Sequence, residues 1–170
     1  SSYNLTFSTP LLANENTKLS FSNIQLNQIP TKFLIFCRQN QSDTDTYDSN
    51  SFLVVEKLSV NFCNKSGLLS SCNQVNLYEM SLTNGVQQNF YEFSGKGVSN
   101  SEEGVSQVVS TLGSVIVLDP ALDLSIDSNF APMSGGQFNM QFEITVRNQS
   151  KSTLNGYTLY LVCINSGIFI

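Results

Sequence analysis

The stretch Phe138-Asn139-Met140-Gln141-Phe142-Glu143-Ile144-Thr145-Val146-Arg147 decides how this chain is read. Phe138, Met140, Phe142, Ile144 and Val146 fall on one parity, and Asn139, Gln141, Glu143, Thr145 and Arg147 on the other. Side chains of an extended strand alternate between faces, so the pattern describes a β-strand with one face in a core and one in water.

Working outward, Tyr3 to Phe7 alternates as a short strand that Pro10 and Asn14-Glu15-Asn16 end in a turn. Leu19 and Phe21 share a face while Ile24 and Leu26 continue on the other parity, which predicts a bulge near Ser22-Asn23. Pro30 marks a corner before Phe33 to Arg38, and a polar loop from Gln39 to Asn50 follows. A long strand then groups Phe52, Val54, Leu58, Val60 and Phe62 against Lys57, Ser59 and Asn61, with Glu56 interrupting the apolar face near its rim. Between Ser71 and Gly85 the period becomes helical: Val75, Tyr78 and Leu82 form the stripe, Ser71 or Asn73 caps the start, and Asn84-Gly85 supplies a left-handed stop.

Phe90 to Gly95 reads as a short strand, and Gly95 to Gly104 as a loop. Val115 to Leu118 is a compact strand closed by Asp119-Pro120, and Leu122, Leu124 and Ile126 form a weak further alternation. Tyr157 to Ile164 follows the quoted stretch, Ser166-Gly167 turns, and Ile168 to Ile170 extends it. About eight strands and one short helix, without an internal repeat or linker, predict an all-β fold over 1–170, a sandwich or jelly roll, which the resemblance given below narrows to an eight-stranded antiparallel jelly-roll sandwich.

Not every strand alternates cleanly. Phe33, Ile35 and Cys37 interleave with Leu34 and Phe36, and Tyr157 to Ile164 is apolar on both parities. An isolated sandwich wets one face of each strand, so these segments are expected to be covered by loops or by a partner subunit.

Composition narrows the function. In 170 residues, hydrophobic residues make up 41% and charged residues only 12%, about half the usual quarter, so Ser, Asn, Gln and Thr supply the polar surface. Eight basic against 13 acidic residues give a net charge of −5, with no Lys/Arg cluster to neutralise phosphates, which argues against direct nucleic-acid binding. The absence of His removes the commonest metal ligand and the usual general base near neutral pH. No apolar run reaches the ~20 residues that span a bilayer, so membrane insertion is not expected. Cys37, Cys63, Cys72 and Cys163 lack CxxC spacing and read as reduced thiols, and sequons occur at Asn4, Asn40, Asn64 and Asn148. The opening Ser1-Ser2 and the closing Gly167-Ile168-Phe169-Ile170 read as the ends of a piece of something longer.

No residue set qualifies as a chemical site. Asp119, Asp123 and Asp127 recur every four residues but lack the glycine-centred loop of calcium motifs, and read as solvated turn carboxylates. Asp43, Asp45 and Asp48 read as an acidic loop. Gly95-Lys96-Gly97 has the composition of a phosphate loop without the following helix-opening Gly-Lys-Ser/Thr. Tyr47, Tyr91 and Tyr160 would suit sugar stacking, although no Trp supports them. The expected lists of catalytic, cofactor-binding and metal residues are empty, and an enzyme is not expected.

Three stretches taken in order resemble a known family: Asn23-Ile24-Gln25-Leu26-Asn27-Gln28-Ile29-Pro30 running into Phe33-Leu34-Ile35-Phe36-Cys37-Arg38; Asn64-Lys65-Ser66-Gly67-Leu68-Leu69-Ser70-Ser71 with Leu77-Tyr78-Glu79-Met80-Ser81 and Asn84-Gly85; and Gly113-Ser114-Val115-Ile116-Val117-Leu118. Together with Phe138-Asn139-Met140-Gln141 and Ser166-Gly167, they resemble the C-terminal jelly roll of the double-jelly-roll major capsid proteins of virophages, Polinton-like elements and related large DNA viruses. The resemblance implies a structural component of an icosahedral capsid, located in the virion. It implies a trimeric capsomer of pseudo-hexagonal outline, formed with itself or with a first jelly roll of the same protein. Neighbouring capsomers, penton and minor capsid proteins are the implied further partners, and no cofactor is implied. The missing first jelly roll departs from the pattern and suggests a domain, cleavage product or split-gene subunit. The Leu68-to-Gly85 segment and the loops at Gln39-Asn50 and Gly95-Gly104 are the expected contact or outer surfaces. The competing expectation is a secreted or surface β-sandwich that binds carbohydrate or a receptor.

Overall fold

The computed structural model describes residues 2–40, 53–95, 97–100, 106–109, 113–126, 138–149 and 152–165. These form, in chain order, β1 (Ser2–Phe7), β2 (Asn16–Leu26), β3 (Lys32–Gln39), β4 (Val54–Phe62), β5 (Lys65–Leu68), α1 (Gln74–Thr83), α2 (Phe90–Ser94), β6 (Gly97–Asn100), β7 (Ser106–Val109), β8 (Val115–Leu118), α3 (Pro120–Asp123), β9 (Phe138–Arg147) and β10 (Tyr157–Ile164). Eight strands make two antiparallel four-stranded sheets: sheet one in the order β1-β10-β3-β8, and sheet two in the order β2-β9-β4-β5. The first strand pairs with the last, from Ser2 opposite Val162 to Phe7 opposite Tyr157. This interleaved order is the jelly-roll sandwich that the alternating segments predict.

β9 lies inside sheet two, with β2 on one side and β4 on the other. Phe138, Met140, Phe142, Ile144 and Val146 are buried, and they meet Phe33, Ile35, Leu159, Leu161, Ile116 and Leu118 of sheet one in a single hydrophobic cluster. Aromatic pairs lock the register within sheet two: Phe21 and Phe142 have centroids 5.6 Å apart, and Phe62 and Phe138 5.9 Å. Cross-strand pairs of this kind contribute beyond their area because the ring edges and faces carry opposite partial charge.

Two bulges adjust the strand faces. The β2–β9 register shifts between Phe21 and Ile24, where Asn23 takes φ +60°, so both apolar pairs reach the core. A second shift, between Val55 and Lys57, corrects the parity read for β4. Val55, not Val54, joins Leu58, Val60 and Phe62 in the core, while Phe52 falls outside the described residues. Glu56 is the extra residue, and its carboxylate accepts a hydrogen bond from Nε of Arg147. Val54 is instead buried under Gly95, where a Cβ would lie 2.5 Å from Val54 Cγ2 and φ is +71°. Only glycine fits there.

The helical elements depart most from expectation. α1 exists, capped by Asn73 in a reciprocal pair with Asn76 and followed by Gly85 at φ +114°. Its buried residues, however, are Leu77 and Ser81, whereas Val75 and Leu82 are 45% and 49% exposed. Of the predicted stripe, Val75 and Leu82 face outward while Tyr78 is half-buried against Phe90 and Phe93, because the helix lies on backbone that needs hydrogen-bond partners as well as apolar cover. Phe90 to Ser94 is a helix and not a strand: Asn89 and Glu92 close a capping box, Gly95 ends it in the left-handed region, and only one large side chain, Phe93, is buried. Pro120–Asp123 is a third short helix, N-capped by Asp119, so Leu122 is 73% exposed while Leu124 and Ile126 are buried.

The Gly95–Gly104 loop is also corrected, since Gly97–Asn100 pairs with Ser106–Val109 as a two-stranded ribbon. Gln39 belongs to β3 and is 5% exposed; residues 41–52, where the rest of the expected loop with Asp43, Asp45, Tyr47 and Asp48 falls, lie outside the described residues. So does the predicted extension Ile168 to Ile170.

Candidate interaction surface

The strands that read as apolar on both parities prove to be neighbours. β3 is flanked by β10 and β8, with Leu34 opposite both Val162 and Val117, and Phe36 opposite Tyr160 and Val115. While Phe33, Ile35, Leu159 and Leu161 point into the core, Leu34, Phe36, Tyr160 and Val162 line the outer face of sheet one as half-buried side chains, and Ile164 is 40% exposed. Phe36 and Tyr160 stack at 5.0 Å with their planes 15° apart. The Arg38 guanidinium lies 4.9 Å from the Tyr160 ring centroid and donates to its hydroxyl at 3.3 Å.

The outer face of sheet two is built from the opposite chemistry. Ser20 and Ser59 flank Glu143, Lys18 and Lys57 flank Thr145, and Asn61 lies opposite Gln141. The shallow depressions in this face are lined mainly by those polar side chains.

One edge of sheet one is sealed. Val115 and Val117 turn their outward backbone groups away from β3, where an unpaired strand edge invites pairing with another chain. Ser81 Oγ accepts from Val117 N–H at 3.1 Å, and Asn84 Nδ2 donates to the Val117 carbonyl at 2.9 Å. Gln88 Oε1 accepts from Val115 N–H at 3.2 Å, and its Nε2 donates to the Gly113 carbonyl at 2.8 Å. Periodicity carries no signal for this sealing role of Ser81, Asn84 and Gln88, since they work as polar partners in and just after a segment read for its apolar stripe and its stop. Lys32 Nζ donates to the Asn84 carbonyl at 2.7 Å, placing a cation at the C-terminus of α1 where the helix dipole favours it.

The carboxylates considered as a site have structural duties. Asp119 accepts from the N–H groups of Ala121 and Leu122, and Asp123 Oδ2 accepts from Asp119 N–H at 2.7 Å and Asn84 Nδ2 at 2.8 Å. They are therefore caps and braces, not the solvated turn carboxylates expected; Asp127 lies outside the described residues. Among the described residues, no group of three His, Cys, Asp or Glu side chains gathers to hold a metal. Gly95 ends a helix, the reverse of a phosphate loop, which opens one. Tyr91 is exposed on α2 and Tyr160 is engaged on β10, so they occupy different elements.

The sequons are equally unlike one another. Asn148 is fully buried, its Nδ2 donating to the carbonyls of Leu11, Leu12 and Ser152 at 3.0, 3.3 and 2.9 Å, so it latches the β1–β2 connection to the end of β9. Asn40 accepts from Thr158, while Asn4 and Asn64 are exposed. No disulfide joins the four cysteines. Burial pushes the Cys37 thiol up and that of Cys163 up to about 11; Cys72 is raised by burial and then by the charge of Asp123. No described helix is long and apolar enough to cross a membrane.

With a jelly roll, two unlike faces and no gathered chemistry in view, comparison with known proteins decides the family. The family of the major capsid protein V20 C-terminal domain matches residues 2–167. The chain belongs to that family. A protein described as putative capsid protein V20, from Sputnik virophage, is 28% identical over 180 residues, a match that covers 100% of this chain and 30% of the viral protein. A chain in the 3.5 Å cryo-EM structure of the Sputnik virophage superposes with a TM-score of 0.79 at 24% identity, over 96% of this chain and 34% of that one. The crystal structure of the mavirus major capsid protein gives 0.63 at 20% identity, over 93% and 37%. Both structures share the fold. The chain spans about a third of the length of the relatives it matches. The family is one of capsid proteins, structural and not enzymatic.

Proposed function

We propose that this chain is a structural part of an icosahedral viral capsid, the C-terminal jelly roll of a longer two-barrel protein, and that its place is the virion shell. The observation that carries the reading is the unlike pair of sheet faces in a member of a capsid-protein family: Leu34, Phe36, Tyr160, Val162 and Ile164 line the β3–β10 centre of one, with polar residues only along its β1 edge and strand ends, and Ser, Lys, Asn, Gln and Glu line the other. A barrel that stands alone gains by wetting both outer faces, whereas one packed beside siblings gains by keeping one of them apolar. The mechanism is physical. Rigid barrels bury lateral faces against neighbours, and a closed lattice multiplies modest contacts into a stable shell.

In this reading the barrel joins its own first jelly roll in a trimeric capsomer of pseudo-hexagonal outline, and the capsomers meet neighbouring capsomers, penton and minor capsid proteins. Light scattering and negative-stain imaging of the full-length protein test it. Trimers of hexagonal outline are the expected result. A strictly monomeric protein that joins no capsomer sinks the reading, and a specific ligand on a glycan array turns it towards recognition.

A further inference from the structure

The outer face of sheet one has an apolar centre and a polar rim. Two rows cross it from edge to edge: Ser2, Val162, Leu34 and Val117, then Asn4, Tyr160, Phe36 and Val115. Beyond them Ile164 lies opposite Lys32 at one end of β3, and Thr158, between Thr6 and Arg38, crosses the other end. The strands of sheet one carry no charges besides Lys32 and Arg38, so both stand at the ends of the face, ~20 Å apart along β3. An apolar centre inside a polar rim is the anatomy of a protein interface.

The edges of the two sheets are not equally defended. β8 is sealed by Ser81, Asn84 and Gln88, β2 is broken by its register shift, and β5 is four residues long and opens on Lys65. β1 has no charge, no proline and an unbroken register with β10, and its Leu5 is 38% exposed. Sheets whose edges meet water blunt them with such devices, so an edge that lacks them suits cover by another part of the assembly. This edge borders the two apolar rows.

The relatives indicate the cover. The matched family is that of a C-terminal domain, and about two thirds of each relative lies outside the match. In the capsid reading that stretch holds the first jelly roll and runs into β1, at the border of the apolar face. A tether at that point holds the first jelly roll at high effective concentration beside the face.

We infer that the first jelly roll of the same polypeptide packs over the β1 edge onto the outer face of sheet one and covers Val162, Leu34, Tyr160 and Phe36. Its matching surface is apolar in the middle and bears oxygen acceptors at the Arg38 end, where the guanidinium is already oriented by Tyr160. The inference rests on the capsid reading and assigns one face of the barrel to one neighbour, leaving the polar face of sheet two outside that contact.

Hydroxyl-radical footprinting of the full-length protein against this chain alone tests it. Tyr160 and Phe36 should be oxidised severalfold more slowly in the full-length protein at every concentration. In the full-length protein, Val162→Lys should speed proteolysis at the junction of the two barrels about tenfold, and Val162→Thr, which adds no charge, severalfold. Ser59→Lys, on the face of sheet two, should leave the junction as in wild type. Circular dichroism of this chain with the same changes checks that the barrel folds. Equal oxidation in both proteins, junction cleavage unmoved by both Val162 variants, or cleavage raised as much by Ser59→Lys overturns the docking, and capsomers in negative stain then leave the capsid reading standing. Protection that appears only as capsomers assemble places another subunit on the face and likewise overturns docking within the chain. A full-length protein that neither protects these rings nor assembles overturns both.

Discussion

The outer faces of the two sheets are made in the same antiparallel geometry, yet one is polar throughout and the other is apolar across its β3–β10 centre. On sheet two, β9 alternates Asn139, Gln141, Glu143 and Thr145 outward against Phe138, Met140, Phe142 and Ile144 inward. On sheet one, β3 and β10 place Leu34, Phe36, Tyr160 and Val162 where β9 has polar residues. The difference teaches that period-2 polarity reports the final environment of a strand and not strand formation itself: both kinds fold, but only one has water as its outer neighbour.

The contrast can be broken or sharpened by substitution. Phe142→Ala removes a ring that is 2% exposed from the shared core and should cost about 3–5 kcal/mol in chemical denaturation of the chain. Phe36→Ala, on the outer face, should cost the isolated chain less than half of that, and an equal loss at both sites would mean that the chain itself already buries the sheet one face. Asn148→Ala leaves three backbone carbonyls without their donor in a buried site and should cost about 1–3 kcal/mol, with hydrogen exchange rising first around Leu11 and Leu154.

The thiols supply a pH test. The Cys163 thiol titrates higher when folded, from 9.0 up to about 11, so the folded state resists its ionisation. Stability should be fully present below pH 9 and fall as pH rises from 9 towards 11; Cys163→Val should flatten part of that slope, with Cys37, Cys72 and Tyr157, all raised by burial, contributing to the remainder. The smallest effect belongs to the wet face: Ser59→Ala on sheet two should stay within about 0.5 kcal/mol of wild type, measured in the same way.

Much of this architecture was legible. The β9 alternation, the Ser22-Asn23 bulge and the Asn73-to-Gly85 helix all appear where local pattern predicts them, because each depends on neighbours within a few residues. The errors share a cause. Phe90 to Ser94 is five residues long, too short for strand and helix periods to separate, and its capping box decides for the helix. The β4 parity failed at Glu56 because a bulge adds a residue without any turn signal, and the pairing of Glu56 with Arg147 across 91 positions is invisible locally. The α1 spacing identified the helix but not its buried face: Tyr78 packs against the core while Val75 and Leu82 are exposed, since exposed apolar residues look the same as buried ones in a sequence.

As to the interaction surface, the sequence by itself determined that β3 and β10 are apolar on both sides, since side-chain polarity is written residue by residue. It also excluded histidine-based catalysis. Only the tertiary structure decided that these strands lie side by side with β8 in one sheet, that Ser81, Asn84 and Gln88 seal its far edge, and that Val75 and Leu82 face out. The physical reason is distance along the chain: strand order and edge capping join residues tens to more than a hundred positions apart, and their pairing follows from how the whole core closes.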